Sequence, residues 1–185
     1  MQATSFKSLV VQIIALTVAL ATLQGCERDS SQSGGAEQSQ NCKLLATKGM
    51  EDRKTISCSR SAATDREVCN LIRTVPEGEL RKLALSNTLV TDKVLQCAAE
   101  ARALEILEIA DTEVSYTGLA ALAGHQALND LDIGGNDQID DAAIDALLGI
   151  PNLRGVTVIG TGISKEVLSR LRDAGIWVLA DDHHQ

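Results

Sequence analysis

The chain has 185 residues, room for one ordinary domain and a short appendage. With 44% hydrophobic residues and only 2% aromatics, it must build an aliphatic core, and two prolines exclude a proline-rich stalk. The net charge of −8 is concentrated downstream: Leu104 to Gln185 carries fourteen acids against four bases, which disfavours nucleic acid because that affinity rests on Lys and Arg neutralising phosphates.

In chain order, the first element is an almost wholly apolar run from Leu9 to Leu23, LVVQIIALTVALATL, preceded by Lys7. Fifteen residues are short for a bilayer span but match the apolar region of an export signal. The run ends in Leu23-Gln24-Gly25-Cys26, followed by polar Glu27-Arg28-Asp29-Ser30. That arrangement resembles the bacterial lipoprotein signal. The resemblance implies removal of residues 1–25, lipidation of Cys26, and anchoring of the exported chain to a bacterial cell membrane on its extracytoplasmic face. Several acyl chains make a stable anchor where one is marginal. Residues 26–41 contain one apolar residue beyond Cys26, Ala36, and read as a flexible tether.

From Cys42 to Glu79 the sequence is less regular. Lys54 to Ser59 reads as a degenerate strand, and Thr64 to Thr74 as an amphipathic helix opened by a Thr-x-x-Glu capping box. The segment 42–79 is expected to form an N-terminal cap on the residues downstream of it.

The remainder, 80–185, repeats itself. LRKLALSNTLV begins at Leu80, LEILEIADTEV at Leu104, LNDLDIGGNDQI at Leu128 and LRGVTVIGTGI at Leu153. Each copy places Thr88, Thr112, Asn136 or Thr161 eight residues after its first Leu. The fourth and sixth positions are apolar throughout: Leu83, Leu107, Leu131 and Val156, then Leu85, Ile109, Ile133 and Val158. Each unit therefore predicts a short strand, a turn at Thr or Asn, and a helix over 92–101, 115–123, 140–148 or 164–173. One unit cannot bury its own apolar face, so the copies must stack. Ile176 to Leu179 reads as a closing strand.

This pattern resembles the leucine-rich-repeat family over about Leu80 to Ala180. The resemblance implies an α/β fold: a short solenoid with parallel strands on its concave face, helices on its convex face and a disulfide-stapled N-terminal cap.

With Cys26 assigned to lipid, Cys42, Cys58, Cys69 and Cys97 remain, an even number in an exported chain. Three pairings are open to them. Cys69 and Cys97 fall at similar heights in successive units, which favours Cys69–Cys97 and leaves Cys42–Cys58. No C-x-x-C or paired His suggests a metal or redox site.

No motif asks for catalysis or for a cofactor. Gly160-Thr161-Gly162 with Asp181 and Asp182 downstream mimics a dinucleotide fingerprint, but Lys165 stands where the third glycine belongs. The acidic run from Asn136 to Asp141 lacks calcium-loop spacing, and His125, His183 and His184 form no ligand set. What is left is the outward face of the strands. There Glu108, Asp130 and Asp132 make an acidic centre beside Ile106, Thr157 and Ile159, with Trp177 at the edge. Five strands give a shallow face about 20 Å wide, suited to a protein segment rather than a small molecule. The leading expectation is a non-enzymatic lipoprotein presenting this face to a protein partner. The alternatives are a structural spacer or an accessory domain of an envelope enzyme or transporter complex.

Overall fold

The computed structural model describes residues 41–181. Cys26, the apolar run before it, most of the expected tether, Asp182, His183 and His184 lie outside the described residues. The described chain is a mixed α/β structure with one seven-stranded sheet in the order β1 to β7. Its strands are β1 (Lys43–Thr47), β2 (Met50–Ser57), β3 (Leu80–Ala84), β4 (Ile106–Glu108), β5 (Asp130–Asp132), β6 (Gly155–Thr157) and β7 (Trp177–Leu179). The helices are α1 (Asp65–Thr74), α2 (Asp92–Glu100), α3 (Tyr116–Leu119), α4 (Ile144–Leu148) and α5 (Lys165–Asp173).

Strands β2 to β7 are parallel, and each returns to the sheet through a helix. The register aligns Ile56, Leu83, Leu107, Leu131, Val156 and Val178 in one row across six strands. The first five of these are essentially sealed from water, at 0 or 1% exposure. Each buried aliphatic chain contributes about 1.5–3 kcal/mol, and the row joins the buried residues of all five helices in one core. Neighbouring helices pack in succession, α1 on α2 through to α4 on α5.

Two expectations are corrected here. The upstream region is not a single degenerate strand: β1 and β2 form an antiparallel hairpin, with Lys43 opposite Ser57 and Leu45 opposite Thr55. The sheet therefore has seven strands rather than five and spans about 29 Å at ~4.8 Å per strand. Two of the expected helices are also short. The 115–123 segment is α-helical only over Tyr116–Leu119 and continues as a 3-10 turn over Ala120–Leu122. The 140–148 segment opens with a 3-10 turn, Asp141–Ala143, before α4.

The turn after each strand is the same throughout. Arg60, Asn87, Asp111, Gly135 and Gly160 all have φ between 52° and 71°. A left-handed residue is thus required just before Ser61, Thr88, Thr112, Asn136 and Thr161, and glycine supplies it without strain in two units. The following side chain closes the turn: the Thr88, Thr112 and Thr161 hydroxyls donate to the carbonyls of Leu85, Ile109 and Val158 at 2.6, 2.9 and 2.8 Å. Ser61 makes the same bond to Cys58. The cap is therefore a fifth copy, offset by 27 residues, with Ile56, Cys58 and Ala63 buried in the apolar columns.

Both disulfides form, Cys42–Cys58 across the base of the hairpin and Cys69–Cys97 between α1 and α2. These are the favoured pairings. Among the described residues no helix is long and apolar enough to cross a membrane.

Candidate binding face

Alternate strand residues project away from the core and form three rows on the open side of the sheet. The first row runs Lys82, Ile106, Asp130, Gly155, Trp177, and the second Ala84, Glu108, Asp132, Thr157, Leu179. Ser86, Ala110, Gly134 and Ile159 continue the pattern where the strands end. The structure thus brings Ile106, Glu108, Asp130, Asp132, Thr157, Ile159 and Trp177 together on one face, as strand alternation requires.

Their environments differ. Glu108 is not a free acid: Lys82 of β3 pairs with it diagonally across the sheet. Register places Lys82 beside Ile106 and Glu108 beside Ala84, so this pair becomes visible only once the strands are aligned. Among the described residues no basic side chain pairs with Asp130 or Asp132. The Asp132 carboxyl is raised above its ordinary value chiefly because burial strips its hydration. Charge repulsion from Glu108, Asp111 and Asp130 acts in the same direction, and the N–H of Gly134 acts in opposition.

At the β7 edge lies an apolar patch. Trp177 is 63% exposed in the first row, Leu179 is 40% exposed next to it in the second, and Ile159 is 39% exposed in the third. Leu179 is absent from the face chosen on sequence grounds, although its two-residue spacing from Trp177 puts it on the same side. A large indole left this open on a rigid strand is a ready anchor for association. Ile106, by contrast, is partly covered.

The other chemical groups are held in the fold. His125 is buried; its Nδ1 accepts from the Leu128 N–H at 3.1 Å and its Nε2 lies 3.2 Å from the Ala101 carbonyl. Asp140 caps the turn before α4 by accepting from the Ala142 N–H. Asp181 accepts from the Gly160 N–H at 2.9 Å, so the acid of the nucleotide-like fingerprint closes a turn instead of facing a ligand. Among the described residues no group of three or more His, Cys, Asp or Glu is arranged to hold a metal ion.

No family model matches the chain, and no curated protein matches it in sequence. Among solved structures it is similar to a chain in the crystal structure of the Rad7 and Elc1 complex from yeast, at 23% identity and a TM-score of 0.53. The alignment covers 62% of this chain and 29% of the other, so the protein spans well under half the length of that neighbour. At this identity the likeness is one of fold.

Proposed function

We propose that this chain is a leucine-rich-repeat solenoid, exported as a lipoprotein anchored through Cys26, whose open sheet face binds a segment of another protein. In this reading it has no catalytic activity, and residues 26–41 hold the 42–79 cap and the 80–185 repeats off the membrane. The repeat reading is supported by the recurring strand, left-handed turn and helix, and by the fold likeness to a chain crystallised in a two-protein complex. Export is supported by two disulfides, which point to an oxidising compartment outside the cytoplasm.

The observation that carries the binding proposal is the pairing, on one rigid sheet, of unneutralised carboxylates with the exposed Trp177, Leu179 and Ile159. A fold alone does not specify a function, whereas an apolar anchor beside uncompensated charge is a surface built for a complementary one. The test is site-specific photo-crosslinking in intact cells with Cys26 preserved. Crosslinkers at Thr157, Ile159 and Leu179 are expected to capture one common protein, and crosslinkers at the exposed helix positions Gln96 and Arg172 to capture none. Capture confined to the helix positions would overturn the reading. Substituting Cys26→Ala is expected to release the protein from the membrane fraction.

A further inference from the structure

Gly155 sits between Asp130 and Trp177 in the first row of the open face. A Cβ built on Gly155 would stand 3.4 Å from Asp130 Oδ2 and 3.9 Å from Trp177 Cε3. The carboxylate and the indole therefore flank the glycine from opposite sides, within about 7 Å of each other, and the glycine, itself buried beneath them, places no side chain between them. A cation bonded to a carboxylate and lying within ~6 Å of an aromatic centroid needs a gap of this size. Asp130 has no basic partner among the described residues, Asp132 lies diagonally adjacent, and Trp177 is the chain's single tryptophan, exposed by nearly two thirds.

We infer that the Asp130–Gly155–Trp177 slot is a seat for an arginine side chain of the partner protein, its guanidinium stacked on the indole and bonded to Asp130. The inference rests on the open-face reading and names the chemistry of what binds there. Arginine suits the slot better than lysine because its planar group stacks on a ring while its edge donates to a carboxylate. The charge also matches: the open face beyond Lys82 and Glu108 keeps Asp130 and Asp132 unneutralised, so a cationic segment is drawn to it and a like-charged one is repelled. Leu179, in the row next to the slot, would cover an apolar residue flanking the arginine, and Ile159 lies one row further along the same face.

The test uses the purified full chain in a neutral non-ionic detergent. The probes are a short capped peptide with a central arginine among valines and threonines, and its twin carrying citrulline, which keeps the shape and removes the charge. The arginine peptide is expected to shift Trp177 emission saturably and to bind at least about tenfold more tightly than the citrulline twin. Gly155→Ala is the most direct variant. Its methyl group meets Asp130 and Trp177 at ordinary contact distances, so the fold survives while the slot is filled. It should lower affinity about tenfold, as should Asp130→Asn. Read by anisotropy of labelled peptide, Trp177→Phe should retain most binding and Trp177→Leu should lose it. Should Trp177→Leu fail to fold, the Gly155→Ala and Asp130→Asn arms decide. Equal binding of the two peptides, or unchanged affinity in Gly155→Ala and Asp130→Asn, would overturn the seat. That result would leave the open-face reading standing if the in-cell crosslinks still map there, and helix-side crosslinks would remove that reading even if the peptide binds.

Discussion

Asp92, at the start of α2, accepts hydrogen bonds from both the backbone N–H and the hydroxyl of Ser115, each at 2.7 Å, although 23 residues separate them. The contact recurs along the array. Asp65 accepts from the Thr91 N–H and hydroxyl at 2.8 Å, and Asp141 from the Ser164 N–H at 2.7 Å. The first helical acid of one unit thus ties down the N-cap residue of the next. Tyr116 occupies the same column and interrupts it, and there Tyr116 N–H instead reaches the Gln138 carbonyl at 3.3 Å.

Asp92→Ala is accordingly expected to destabilise by about 1–2 kcal/mol, because a charged acceptor is withdrawn from a partly buried N–H. Gly118→Ala should cost at least as much, since its Cβ would fall 2.3 Å from Asp92 Oδ1 and evict the carboxylate. The two changes act on one contact, so the double variant should lose less than the singles added together. Denaturant melts of the four proteins check this. Full additivity would mean that the two substitutions do not act through a shared contact.

Asn136 carries the most connected side chain of the turns. It is buried, accepts from the Thr112 N–H at 3.0 Å, and donates to the carbonyls of Ile109 and Ile133 at 2.9 Å. Asn136→Ala leaves these groups unpaired away from water and should cost about 3 kcal/mol or more. Asn136→Thr can rebuild the bond to Ile133, as Thr88 and Thr161 do in their units, but cannot also span to Thr112. Its loss should be roughly half as large. Thermal melting ranks the three proteins. Equal stability of the alanine and threonine variants would show that the local bond to Ile133 contributes nothing, and a threonine variant as stable as the parent would show the same of the span to the neighbouring unit.

The four downstream copies could be read from the sequence because their columns are filled by the residues the geometry demands: aliphatics inward, Thr or Asn at the turn, and spacings of 24 or 25. The cap copy was hidden by its chemistry. Arg60 holds the left-handed position where Asn, Asp or Gly stands elsewhere, Ser61 replaces Thr, and Cys58 and Ala63 occupy columns otherwise held by Leu, Ile or Val. Strand β1 gave no alternation to read, since Leu44 and Leu45 project to opposite faces and both remain about half exposed. For the open face, strand alternation was enough to choose its residues. The Lys82–Glu108 pair and the slot over Gly155 needed the register between strands, which spacing within one unit does not contain.

The Cys69–Cys97 bridge closes a loop of 28 residues around the junction between the cap and the first downstream unit. Restricting a loop of that length in the unfolded chain is worth about 3–4 kcal/mol. The Cys69→Ala, Cys97→Ala double variant should melt correspondingly lower, and a reductant should lower the melt of the parent protein but not that of the variant through this bond. The hairpin bridge Cys42–Cys58, with a separation of 16, should cost somewhat less stability when removed in the same way. Urea midpoints of the two double variants give the ordering, and the reverse order would contradict a loop-length account.

Asp132 sets the expected pH response of the open face. Its carboxyl is raised in the folded protein, above all by loss of hydration and then by the neighbouring acids Glu108, Asp111 and Asp130. The folded state therefore holds the proton more firmly than the unfolded state does. Between the ordinary carboxylate value of 3.8 and the raised value, stability falls as pH rises, and the penalty is fully present above that window. Asp132→Asn removes the charge while keeping an oxygen for the Gly134 N–H. The variant should melt higher than the parent at neutral pH, and the difference should shrink as pH falls through the window. The same substitution should weaken an arginine-bearing partner, because the charge that costs stability in the free protein is the charge that would attract it. Melting curves across pH, paired with peptide binding at neutral pH, separate the two effects. A variant that gains no stability at neutral pH would mean that the face is hydrated enough to carry its acids without penalty.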